Sequence, residues 1–210
     1  TWSKPGSIGA DDWVIFYAVG GGGGRANTPY NTPGSGGSAA IIALKGSAIP
    51  ASIVFVIGAG GGTAQKGGDT KMTIGTTLMT APGGLVMLNA ETKSSLPGSF
   101  SMNQAGADLN VALGSTVTTT GGVSYIGATP EEAGFSRNSI WAGGGGDSMG
   151  FNAAGANSGR GISTYAGNGG SGGYGTPTSG AVPGGGAGGT YYGGPTPNVY
   201  GGNGNVRIYY

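Results

Sequence analysis

The groups able to do acid–base chemistry are few. The carboxylates are Asp11, Asp12, Asp69, Asp108, Asp147, Glu91, Glu131 and Glu132, and the chain holds no histidine and no cysteine. Hydrolysing a glycosidic bond takes two carboxyl groups facing each other across a sugar. Adjacent acids such as Glu131 and Glu132 point to opposite sides of an extended chain. Without histidine the commonest general base is missing, and no Gly-x-Ser-x-Gly nucleophile has a base partner. Without cysteine there is no thiol catalysis, no disulfide and no cysteine-bound structural zinc. The acids therefore read as solvated loop residues. The expectation is a protein that is not an enzyme, with no cofactor and no metal; a polysaccharide depolymerase is the catalytic alternative.

A glycine motif offers a second kind of chemistry. Ser52 to Gly62 reads SIVFVIGAGGG, a β-branched run ending in glycine, like the strand and turn that open a dinucleotide-binding unit. That unit needs a helix directly after the turn to hold the pyrophosphate. The following TAQKGGDTKMTIGTT has no helical apolar spacing. The acid expected about 20 residues on is missing too, since the chain there reads TTLMTAPGG. The pattern also recurs. WVIFYAVGGGGG runs from strand into glycine at residues 13–24, SAAIIALKGS is a third bounded apolar run, and YGGNGNVRIYY reverses the order. A strand joined to a glycine run is a structural unit used several times, not one phosphate loop.

Recognition chemistry is better supplied. Tyr30, Phe135, Arg137, Asn138, Trp141, Phe151, Arg160, Tyr165, Tyr174, Tyr191, Tyr192 and Tyr200 flank the glycine blocks. Tyrosine, tryptophan and arginine are the usual anchors of an interface, and serine, glycine and asparagine supply adaptable polar contacts. The competing reading is that the tyrosine rings cap and pack the glycine blocks. Ice binding would need a flat face of small, regularly spaced residues, which these irregular aromatic inserts do not offer.

These residues need elements to hold them. Residues 1–62 alternate strand and glycine. In WVIFYA, Trp13, Ile15 and Tyr17 share one face and Val14, Phe16 and Ala18 the other. Both faces are apolar, so this strand is expected to be buried on both sides, as is ASIVFVIG. Residues 63–126 read as short Thr- and Ser-rich strands: TKMTIGTTLMT, GLVMLNAETK, SFSMNQAG, ADLNVALGSTVTTT and GGVSYIGA. TPEEAGF at 129–135 has the makings of one short helical turn. From 142 to 205, glycine blocks alternate with inserts.

Composition sets the terms for these blocks. The chain has 210 residues, of which 52 are glycine and 11 proline. That proportion falls in the range of low-complexity chains. Yet only 8% of residues are charged, against the charge-rich habit of disorder, and the apolar runs need a core. No Gly-X-Y period is sustained, which excludes collagen. Glycine loses the most entropy on ordering, so an ordered glycine block must recover it through dense packing and hydrogen bonds. Polyproline-II helices of glycine, three residues per turn, can do so side by side, with the inserts as loops at their ends. The expected fold is mainly β: a short-strand, β-sandwich-like part combined with a bundle of polyglycine-II helices. The expected division is a β-rich region at 1–126 with interleaved glycine runs. A glycine-rich bundle with binding loops and a closing C-terminal strand follows at 127–210.

The net charge of +1 steers the chain toward neither nucleic acid nor an anionic membrane. No apolar run approaches the length of a membrane span. The chain begins at Thr1 without an initiator methionine, which reads as processing or as a fragment.

TWSKPGSIGADDWVIFYAVGGGGG resembles the opening of the glycine-rich domains at the distal ends of bacteriophage tail fibres. GGSAAIIALKGSAIPASIVFVIGAGGGTAQKGGDTKMTIG follows the same plan, and GGNGNVRIYY resembles that family's last glycine block and terminal aromatic strand. The blocks are also similar to those of the receptor-binding adhesins on the long tail fibres of T-even-like phages. The Thr-rich stretch 70–126 departs from that pattern. The resemblance implies an adhesin at the fibre tip of an extracellular virion, bound to a host outer-surface receptor, protein or glycan. Its partners would be the rest of the fibre, with a homotrimer left open, and neither nucleic acid nor an inserted membrane. Phe135, Arg137, Asn138, Trp141, Phe151, Arg160, Tyr165, Tyr191, Tyr192 and Tyr200 are the candidate contact residues. A structural domain of a virion or cell-surface protein, without receptor contact, is the alternative.

Overall fold

The computed structural model describes residues 1–25, 33–75, 77–86, 111–112, 141–146, 161–172, 177–189 and 198–210. Among them the fold is mainly β. The strands are β1 Trp2–Ser3, β2 Trp13–Val19, β3 Ala39–Lys45, β4 Ser52–Val56, β5 Thr70–Ile74, β6 Thr77–Ala81, β7 Val111–Ala112 and β8 Asn205–Tyr209. One sheet has the order β1-β4-β5-β6, the other β7-β3-β2-β8. All pairings are antiparallel except β7 beside β3.

The two sheets face each other because each strand turns one apolar set inward. Val14, Phe16 and Ala18 of β2 pair with Leu44, Ile42 and Ala40 of β3. This row packs on Ile53 of β4, Met72 and Ile74 of β5, and Met79 and Ala81 of β6. Trp2 meets Phe16 edge-to-face, with ring centroids 5.9 Å apart, an arrangement favoured by the ring quadrupoles. Burying a side chain of this size contributes about 1.5–3 kcal/mol, so this row is the main source of cohesion between the sheets.

The outward faces differ from expectation. Trp13 is 50% exposed and Ile15 41% exposed, while Tyr17 on the same face is buried. In β4, Ile53 is buried but Val54 and Val56 are 65% and 60% exposed. Continuous apolar runs imply cover on both faces when a parallel sheet carries helices. Here β2 and β4 have only antiparallel neighbours, and among the described residues cover reaches only the end of β2 nearest the glycine runs.

Glycine-rich runs continue the strands beyond the sandwich. Gly20–Gly24 follows β2, residues 34–38 lead into β3, Gly58–Gly62 follows β4 and Gly201–Gly204 leads into β8. Their hydrogen bonds step by three. Gly20 and Gly23 donate to Ser38 and Ser35, and Gly21 and Gly24 donate to Gly68 and Gln65. Gly22, between them, donates to Gly202. The neighbouring run repeats the rule: Gly34 and Gly37 donate to Ala187 and Gly184, while Ser35 and Ser38 donate to Leu85 and Pro82. Gly143 and Gly146 return to Gly37 and Gly34. At many of these glycines the spacing leaves no room for a side chain. A Cβ on Gly186 would land on the Gly34 carbonyl oxygen.

Segments on both sides of residue 126 share these layers. β8 lies beside β2 in the sheet, and Gly202 accepts from Gly22. Among the described residues no helix is long and apolar enough to cross a membrane.

Candidate binding groove

The outward face of the β7-β3-β2-β8 sheet carries a groove. Strand register builds its floor. Ile15 faces Ala43 on one side and Tyr209 on the other, and Tyr17 faces Ile41 and Arg207. Residues two apart on a strand share a face, so these six side chains form one continuous surface on three strands.

Trp141 and Tyr165 form the wall. Their rings stack at 4.4 Å between centroids and 8° between planes. Each comes from an insert beside a glycine run: Trp141 lies just before Gly143–Gly146, and Tyr165 just before Gly167. Ser163 ties the two inserts together. Its hydroxyl donates to the Ala142 carbonyl at 2.7 Å and accepts from the Ala166 N–H at 2.9 Å. The Ser163 N–H in turn donates to the Asn168 side chain at 2.8 Å. Ala142 then packs with Tyr17, Val19, Ala39 and Ile41. The aromatic wall is therefore anchored to the sheet from below.

The cavity between floor and wall has a volume of about 370 Å³, lined by Ile15, Tyr17, Ile41, Ala43, Trp141, Tyr165 and Tyr209. That lies in the range of a small-ligand site, where an apolar lining carries a few polar groups. Two of the floor's polar groups, on Tyr17 and Arg207, are engaged internally. The Tyr17 hydroxyl donates to the Trp141 carbonyl oxygen. Burial holds that hydroxyl protonated well above the usual tyrosine range, against the opposing pull of the Arg207 charge, so it remains a donor. Arg207 lies over the Tyr17 ring, 5.8 Å from its centroid, and Nη1 donates to the Tyr165 carbonyl at 3.0 Å. At the far end of the same face Lys45 sits 5.9 Å from the Trp13 ring and 3.2 Å from an Asp11 carboxylate oxygen.

Of the residues singled out by sequence, Trp141 and Tyr165 come together here. Tyr200 does not join them. It is 49% exposed, its N–H donates to Ser179, and its ring lies beside Gly62 in the glycine layer. Phe135, Arg137, Asn138, Phe151, Arg160, Tyr191 and Tyr192 lie outside the described residues, as do Tyr30 and Tyr174. Sequence reasoning missed Ile15, Tyr17, Arg207 and Tyr209 as site residues. Their signal was strand parity, with Ile15 and Tyr17 two apart in WVIFYA and Arg207 and Tyr209 two apart in NVRIYY.

Among known families no model matches the chain, and no curated protein matches it.

Proposed function

We propose that this chain is an adhesin of a bacteriophage tail-fibre tip, with the groove as its contact with a host cell-surface receptor. The observation that carries the proposal is the convergence of Trp141 and Tyr165, from two inserts between glycine runs, on an open apolar groove. Loops held on a rigid scaffold are where recognition concentrates, and partly exposed aromatic anchors supply its energy.

The scaffold in this reading is a bundle of polyglycine-II helices. A helix with three residues per turn aims its N–H groups at three neighbours in rotation. Donation from Gly20 and Gly23 to one run, from Gly21 and Gly24 to a second and from Gly22 to a third matches that rotation. The resemblance of the opening and closing segments to tail-fibre domains supports the viral setting.

A second reading has its own observation. Val54 and Leu78 lie in one cross-strand row on the opposite sheet and are 65% and 43% exposed. Val56, also exposed, lies beside them. An apolar patch of this kind suits packing against other parts of a virion, which fits a structural domain without receptor contact.

The experiment is retention of the labelled protein on a panel of bacterial surfaces. The adhesin reading expects saturable binding to some strains and none to others. Uniform, unsaturable retention across the panel speaks for the structural reading.

A further inference from the structure

Arg207 distinguishes this groove from a plain apolar patch. Among the described residues the ion pairs are Lys45 with Asp11 and Lys71 with Asp69; Arg207 has no carboxylate partner. One guanidinium nitrogen is committed to the Tyr165 carbonyl, while the fork carries five N–H donors. Strand register puts Arg207 on the groove face directly beside Tyr17, with Tyr209 two residues on. Beside the carbon-lined groove there thus stands a cation that pairs with no carboxylate among the described residues.

We infer that the groove takes a peptide side-chain pair, an aromatic or aliphatic body with a carboxylate next to it, and that Arg207 reads the carboxylate. This rests on the groove being the recognition surface. Charge complementarity argues for the anion, because an arginine fork matches a carboxylate in two parallel hydrogen bonds. The lining argues for the apolar body. A sugar ring brings hydroxyls that need partners, and groups left unpaired on binding lose affinity. The Tyr17 hydroxyl in the floor already serves the Trp141 carbonyl, and the Arg207 fork is matched by a carboxylate better than by a neutral hydroxyl. An apolar side chain needs only the surface that Ile15, Ile41, Trp141 and Tyr165 present.

The test follows the Trp141 indole N–H by NMR during titration with three probes. These are N-acetyl-phenylalanyl-aspartyl amide, its asparaginyl counterpart and glucuronic acid. The aspartyl probe is expected to bind about tenfold more tightly than the asparaginyl one, as a charge-assisted pair warrants. The preference should weaken as salt rises. Arg207→Gln should abolish it, and Arg207→Lys, which keeps the charge, should restore part of it even if the contact with Tyr165 is disturbed. Equal binding of the two peptides overturns the role of Arg207 but leaves the groove as an apolar recognition surface. Tighter binding of glucuronic acid than of either peptide overturns the peptide assignment. If no probe moves the Trp141 signal, the inference fails. The recognition reading then fails with it only if substitutions in the groove also leave cell binding unchanged.

Discussion

The Thr70 hydroxyl donates to the Val19 carbonyl oxygen at 2.7 Å, across 51 positions of sequence. The Thr70 hydroxyl oxygen in turn accepts from the Gly58 N–H at 3.0 Å. Val19 ends β2, Gly58 follows β4 and Thr70 opens β5, so one fully buried hydroxyl joins both sheets where the glycine runs leave them. A Cβ on Gly204 would collide with it, which also brings the entry to β8 to this point.

Thr70→Val keeps the shape and the strand preference of the side chain and removes its hydrogen bonds. The Gly58 N–H is left buried without its partner, a loss of about 1–3 kcal/mol. Chemical denaturation should show that decrease in stability, and Thr70→Ser should recover most of it. Equal stability of the valine variant would mean that the junction is held by packing alone.

Glycine in the hydrogen-bonded layer should not tolerate a methyl group. Gly186→Ala would drive a Cβ into the Gly34 carbonyl, whereas Gly6 has open space around it. Overpacking costs about 1–3 kcal/mol, so Gly186→Ala should lower the melting temperature by several degrees and Gly6→Ala should leave it near the parent value. In the same layer, the amides of Gly21, Gly22 and Gly186 should exchange slowly with solvent, since each donates to a neighbouring run. Exchange at random-coil rates would contradict an ordered layer.

Asp69 links β5 to the residues after β6. Its Oδ1 accepts from the Gly83 N–H at 3.1 Å and its Oδ2 lies 3.2 Å from Lys71 Nζ. The backbone hydrogen bond from Gly83 is the main cause holding this carboxyl below the usual range, with Lys71 and Lys66 adding to it and partial burial opposing. A carboxyl whose folded pKa is depressed stabilises the fold above its unfolded value, and that contribution disappears as pH falls through the folded value. Stability is therefore expected to be level above about pH 5 and to decline below about pH 4, the ordinary carboxylate range. Asp69→Asn should flatten part of that acid limb; an unchanged limb would place the acid sensitivity elsewhere.

The strands were legible because their runs are apolar and bounded by glycine. β2, β3, β4 and β8 fall on WVIFYAV, AAIIALK, SIVFV and NVRIY. Which face of β2 stayed open was not legible, since Trp13, Ile15 and Tyr17 are as apolar as the set that is buried. Arg207 illustrates the same limit. Alternation places it on a face, but only its pairing with Tyr17 shows which face. The partners of the glycine runs were further out of reach, because glycine has no side chain to encode a neighbour. Trp141 and Tyr165 were readable as aromatics flanking glycine; their stacking was not, as it depends on Ser163 tying two inserts together.

The most direct test of the account is quantitative binding to a bacterial surface that retains the native protein, comparing Trp141→Ala, Ile15→Thr and Val54→Thr after each is shown to fold. Trp141 and Ile15 line the groove, while Val54 is on the outward face of the other sheet. Truncating an interface anchor costs about 2 kcal/mol or more, roughly thirtyfold in affinity. A loss of that size is expected for Trp141→Ala, a smaller loss for Ile15→Thr and parent-like binding for Val54→Thr. Parent-like binding by both groove variants, with loss in Val54→Thr, would contradict it and move recognition to the opposite sheet.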